Sequence, residues 1–172
     1  ALPIPARGKA SLGTTKQGIG PTYCDKATRS GLRGHHLADL KNLPETVRER
    51  MTMVNSYIRF LGGEEIKPET VLEEVMPRAE QLKPYIIDTV EYLQDALAEG
   101  KNILLEGAQG ALLDIDFGTY PYLTSSNTTT GGCSTGSGLA PWTIKTVHGV
   151  LKAFTTRVGA GPFPTELDGD LG

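Results

Sequence analysis

Residues 102–110 read Asn102-Ile103-Leu104-Leu105-Glu106-Gly107-Ala108-Gln109-Gly110. The apolar run is short and lies between Gly100 and Gly107. Such a run fits a strand buried on both faces, the kind found in parallel sheets. A glycine loop bearing one amide, Gln109, opens where the strand ends. Ligands of open α/β sheets bind off the carboxyl ends of strands. Further on, His148-Gly149-Val150-Leu151-Lys152-Ala153-Phe154-Thr155-Thr156-Arg157-Val158 reads as a second strand, rich in β-branched and aromatic residues. Residues 137–147 between them read as helix. Strand, loop, helix and strand together point to an α/β fold, part of a mostly parallel central sheet.

Before Gly100 the periodicity is helical. Val47, Met51, Val54 and Ile58 form one apolar stripe, with Pro44 at its start and Gly62-Gly63 at its end. Ile86, Val90, Leu93 and Leu97 form another, with Pro84 near its start and Gly100 as its stop. A shorter helix is expected over 68–76, with Pro68 in its first turn and Pro77 ending it. These stripes read as packing surface. Residues 44–99 are therefore expected to be a helical insertion laid on the main sheet. Glycine supports the division. Of 21 glycines, only Gly62 and Gly63 fall between His35 and Glu99. The expected organisation is one segment of a single larger α/β domain. It has a phosphate loop and basic helix (1–34), a helical insertion (35–100), and strands with site loops (101–172). Both ends break off in mid-pattern, as in a fragment of a longer enzyme.

Composition removes several classes. Hydrophobic residues are 38% and charged residues 22% of 172, an ordinary globular balance that argues against disorder. A net charge of −3 does not suggest a surface that tracks nucleic-acid phosphates. No run of about 18 apolar residues suggests a membrane span. Residues 1–11 lack the layout of a secretion signal. Two cysteines, Cys24 and Cys133, and three histidines, His35, His36 and His148, give no metal-ligand spacing and no disulfide framework. A reducing, cytoplasmic setting is expected.

Four loops carry chemistry. Gly13-Thr14-Thr15-Lys16-Gln17-Gly18-Ile19-Gly20-Pro21 offers two hydroxyls and backbone N–H groups for an anion nest, with Lys26, Arg29 and Arg33 following. It is not a Walker A loop, because Ile19 stands where that motif needs lysine. In Glu106–Asp116, Gln109 can read the edge of a base. Asp114 and Asp116 read as a turn in preference to a catalytic carboxylate pair. Tyr120–Gly132 holds seven consecutive hydroxyl or amide side chains, suited to binding phosphate or capping a helix. Arg157–Pro164 opens a strand end into glycines, where backbone can meet a sugar. His35 and His36 point different ways on a regular element and suit a surface or capping role. Cys24 and Cys133 read as small buried residues, not nucleophiles.

Taken in order, GTTKQGIGPTYCDKATRSGLR, EGAQGALLDIDFGTYPYLTSSNTTTGG and KAFTTRVGAGPFPTEL resemble the adenylosuccinate synthetase family, from about Gly8 to about Leu167. The resemblance implies a GTP-dependent ligase that joins IMP and L-aspartate through 6-phosphoryl-IMP, with Mg²⁺ present. It implies that Thr15 and Thr124 bind the IMP 5′-phosphate, that Gln109 lies against the hypoxanthine ring, and that Val158 lies against the ribose. Arg29 would reach the phosphate of the other subunit of a homodimer. The family's catalytic aspartate and histidine, its Mg²⁺ ligands, its aspartate-binding loop and its guanine-reading Lys-x-Asp motif have no counterpart in these residues. No metal ligand is assigned here. A non-catalytic nucleotide-binding module is the alternative reading.

Overall fold

The computed structural model describes residues 17–167 and 169. The described chain divides into two compact units, 21–88 and 17–20 with 89–169. Its helices are α1 (Ile19–Ala27), α2 (Gly34–Ala38), α3 (Leu43–Phe60), α4 (Pro68–Leu82), α5 (Thr89–Ala98) and α6 (Thr130–Ser137).

In the unit 21–88, α3 and α4 pair through the stripe that the sequence offers. Leu43, Val47, Met51 and Ala79 are buried, and Leu37, Leu40, Val71, Leu72, Val75 and Met76 pack around them. Pro44 sits in the first turn of α3, where a missing N–H costs nothing. Asn55 fixes the turn that follows. Its Nδ2 donates to the Ile66 carbonyl at 2.8 Å, and its Oδ1 accepts the Ile66 N–H at 2.9 Å. This buried amide thereby meets an incoming chain on both its donor and its acceptor side.

Pro77 does not end α4, which runs on to Leu82. The reason lies in which side each residue faces. Pro77 and Glu73 are exposed, so the Glu73 carbonyl that loses its N–H partner belongs to the solvent side of the helix. Val75, Met76 and Ala79 keep the helix pinned to α3. The next helix also starts later than the stripe implies. Ile86 closes a 3-10 turn over Lys83–Tyr85, and α5 begins only at Thr89.

In the second unit α5 packs against α6. The expected helix over 137–147 is replaced. Gly138 takes a left-handed φ of 75° and closes α6, and Pro141 opens a separate 3-10 turn, Pro141–Thr143. The helix that does form, α6, is mostly Gly, Ser and Thr and carries no apolar stripe to announce it. Among the described residues no strand is present. Residues 102–106 and 148–158 run without ladder partners, and Leu104, Val150 and Leu151 are 86%, 93% and 96% exposed. A strand exists only by pairing, so an apolar run without a neighbour has nothing to register against.

Leu43 is fully buried, at 0% exposure. Leu43→Ala should cost about 2–5 kcal/mol of stability. Urea unfolding of the variant checks this, with an unchanged midpoint as the contrary result.

Candidate functional site

The site region of the second unit is organised around Asp114, which has no solvent exposure. Its Oδ1 accepts the N–H groups of Asp116 at 2.9 Å and Phe117 at 3.2 Å. Its Oδ2 accepts those of Thr128 at 2.6 Å and Thr129 at 3.3 Å. One carboxylate thus holds two separate loop segments. Burial pushes its pKa up, while the N–H donors of Asp116, Thr128, Phe117 and Thr129 pull it down. The donors prevail, and the carboxyl sits below its ordinary value of 3.8. The Asp114/Asp116 pair is therefore a turn, as the sequence favoured. Asp116 is tied to Asn127 Nδ2 at 2.6 Å.

Further bonds lace the same segments. The Thr124 N–H donates to the Leu113 carbonyl at 2.9 Å, and the Ile115 N–H to the Ser126 carbonyl at 3.2 Å. Thr128 Oγ1 donates to the Gly110 carbonyl at 2.8 Å, beside Gln109. Thr124 Oγ1 makes no hydrogen bond among the described residues. Gln109 is exposed and held at φ 63°. A cleft of about 300 Å³ runs between Leu104–Gly107 and the start of α6, lined by Glu106, Thr128, Thr129 and Gly132. Gly132 is obligatory there, since a Cβ would collide with the Asn127 carbonyl.

Val158 is 87% exposed on the loop that follows residues 148–157. Arg157 joins that loop to Tyr122, donating from Nη2 to the Tyr122 carbonyl at 2.9 Å. The loops bearing Gln109, Thr124 and Val158 are thus linked in one unit. Arg29 belongs to the other unit. It follows the end of α1 at φ 61°, a position where glycine or asparagine is usual. A salt bridge of 2.6 Å from Arg50 to Asp25 ties this end of α1 to α3. Arg29 and Gln109 are the two non-glycine residues with positive φ among the described residues. Such strain costs on the order of 1–2 kcal/mol each, and it collects at functional sites. Thr15, with Thr14 and Lys16, lies outside the described residues.

Three smaller readings change. His35 and His36 do not diverge: their Nε2 atoms are 3.2 Å apart, and His36 Nδ1 accepts the Arg33 N–H at 2.9 Å at the start of α2. The capping role is present, and the two ring centroids lie 3.9 Å apart. Cys24 is exposed on α1, which buries none of its residues, and Cys133 is half-buried on α6. Asp114 and Arg157 are the anchors that the sequence reading did not assign. No spacing signals them: Asp114 stands among Leu112, Leu113, Ile115 and Asp116, and Arg157 between Thr156 and Val158.

The exposed loops bearing Gln109, Thr124 and Val158 are thus irregular backbone fastened by Asp114 and Arg157. The adenylosuccinate synthetase family model matches residues 4–172, and the chain belongs to that family. It is 50% identical over 167 residues to adenylosuccinate synthetase of Clostridium perfringens, covering 97% of this chain and 39% of that protein. It is 49% identical over 165 residues to adenylosuccinate synthetase 1 of Laccaria bicolor, covering 96% of this chain and 38% of that protein. A solved structure of fully ligated adenylosuccinate synthetase from Plasmodium falciparum superposes with a TM-score of 0.86 at 39% identity, over 94% of this chain and 37% of that one. The chain therefore spans less than two-fifths of the length of these relatives.

Asp114→Asn replaces one acceptor oxygen with an NH₂ that faces backbone donors. The variant should show a lower denaturant midpoint at pH 7. The native carboxyl has a depressed pKa, so its contribution is present above the unfolded value of about 3.9 and fades as pH falls through the lower folded value. Wild type and variant should converge in acid. A gap that stays constant from pH 7 to pH 2 would contradict this.

Proposed function

We propose that the full-length protein is an adenylosuccinate synthetase, and that this chain supplies much of its IMP site. In the proposed reaction GTP phosphorylates the 6-oxygen of IMP. The aspartate amine then attacks C6, and phosphate leaves with that oxygen. An amide-like oxygen is a poor leaving group, and phosphorylation makes it a good one. The task left to the protein is to hold IMP in line with the γ-phosphate. The observation that carries the reading is the family match over residues 4–172.

The roles fit the local chemistry. Thr124 presents a hydroxyl with no hydrogen bond among the described residues, on a loop held by Asp114, suited to a 5′-phosphate oxygen. Thr15 is proposed to do the same. Gln109 can give and accept a hydrogen bond at the hypoxanthine edge. Val158 offers apolar contact to the ribose. Arg29 is proposed to complete the site of the partner subunit in a homodimer, where its planar fork suits phosphate. Residues 102–106 and 148–158 are proposed as strands of a mostly parallel sheet completed by the rest of the protein. On this reading residues 1–34 supply the phosphate loop and basic helix, 35–100 the helical insertion, and 101–172 the strands and IMP loops. Among the described residues no three His, Cys, Asp or Glu side chains form a metal cage. Every role assigned here concerns the grip on IMP, and the Mg²⁺ ligands are proposed to lie outside these residues. Among the described residues no helix is long and apolar enough to cross a membrane, and a cytoplasmic setting is proposed.

In the full-length protein, Thr124→Ala and Thr15→Ala should each weaken IMP binding by about 1.5–3 kcal/mol, the worth of a hydrogen bond to a charged group. GTP affinity should be unchanged. Equilibrium binding checks both, and wild-type IMP affinity in the two variants would sink the phosphate assignment.

Arg29→Leu should raise the IMP KM with the fold intact. Mixed with the Thr15→Ala variant, it should regain part of the activity, because heterodimers contain one site with both defects and one with neither. Heterodimers that form and regain nothing would place Arg29 in its own subunit's site.

A further inference from the structure

Residues 148–167 make few ties to the rest of the chain. Among the described residues, one hydrogen bond joins this stretch to another part of the chain, and it comes from Arg157. Arg157 is half-buried while the residues around it are exposed. Its guanidinium donates from Nη2 to the Tyr122 carbonyl at 2.9 Å and to the Ala160 carbonyl at 3.1 Å. Nε reaches the same Ala160 carbonyl at 3.3 Å, and Nη1 reaches the Pro162 carbonyl at 3.4 Å. All four bonds go to main-chain oxygens, and no ion pair holds Arg157 among the described residues. A charged fork spent on carbonyls fixes backbone; it does not neutralise charge.

Both ends of the tether are prepared for it. The Tyr122 carbonyl also accepts Thr119 Oγ1 at 3.0 Å, and the Tyr122 N–H donates to the Thr119 carbonyl at 2.8 Å. The 119–122 turn therefore offers a fixed acceptor two residues before Thr124. On the other side Gly161 sits at φ 132°, and a Cβ there would collide with the guanidinium and come within 2.7 Å of the Tyr122 Cβ. Glycine is needed at 161 for the fork to lie where it does.

We propose that Arg157 is a positioning residue for IMP, whose guanidinium clamps the turn before Thr124 to the loop after Val158 and so sets the spacing of the phosphate and ribose contacts. The proposal rests on the IMP-site reading above. Arg157 touches no substrate in this scheme and acts through the two loops. Lysine cannot replace it, because a single ammonium cannot span the Tyr122, Ala160 and Pro162 carbonyls together.

The test uses Arg157→Ala and Arg157→Lys in the full-length protein, with two readouts. Hydrogen exchange of the unliganded protein should speed up at residues 158–162 and 122–124. The IMP KM should rise about tenfold or more, the loss expected for charged-donor bonds. The GTP KM should stay unchanged, and guanidinium ion should partly restore the IMP KM of the Ala variant. If the Ala variant does not fold, the Lys variant alone decides, with the same expected shifts. Wild-type exchange at both loops in the variants overturns the clamp. Faster exchange with an unchanged IMP KM, or equal losses for IMP and GTP, overturns its positioning role. Failure of the parent reading is seen separately, as a wild-type full-length protein that does not turn over IMP.

Discussion

The site loops of this chain depend on one carboxylate with no access to water. Asp114 gathers four backbone N–H groups from two segments, and so replaces the ladder that irregular backbone lacks. A buried charge is tolerable only when its lone pairs are filled. Here they are filled by the donors that the loops would otherwise leave unpaired. Everything else in the region is fastened relative to that point. Thr124 hangs from Leu113, Thr128 reaches back to Gly110 beside Gln109, and Arg157 brings the last loop to Tyr122.

This arrangement separates two tasks that sequence chemistry alone runs together. Hydroxyls and amides between Tyr120 and Gly132 all look like ligand groups in a list of residues. In three dimensions two of them serve the scaffold: Thr128 Oγ1 donates to the Gly110 carbonyl, and Asn127 Nδ2 donates to Asp116 Oδ2. Thr124 Oγ1 makes no hydrogen bond among the described residues. The strained backbone at Gln109 and Arg29 marks two more positions at which local conformation is subordinate to something else.

How much could be read in advance varies with what sets each element. α3 was readable nearly to the residue, because Val47, Met51 and Ile58 form its buried face and Pro44 marks its start. α4 was cut short, because Pro77 stops a helix only when its orphan carbonyl cannot reach water. α6 was missed, because a helix of glycine and hydroxyl residues shows no period. The runs 102–106 and 148–158 have the composition of buried strands, but pairing partners are a property of the whole sheet and not of the strand. The loops around Gln109, Thr124 and Val158 stand out by residue type and by family resemblance. Their anchors were not, because the roles of Asp114 and Arg157 follow from backbone geometry that no spacing encodes.

The central claim is that the loops around Gln109, Thr124 and Val158 form one IMP-binding surface. Hydrogen exchange of the wild-type full-length protein, with and without IMP, tests it most directly. The account predicts that IMP slows exchange at residues 107–110, 122–129 and 157–162 together, and that GTP alone does not. Protection confined to one of these loops, or absent from all three while IMP is bound, would contradict it.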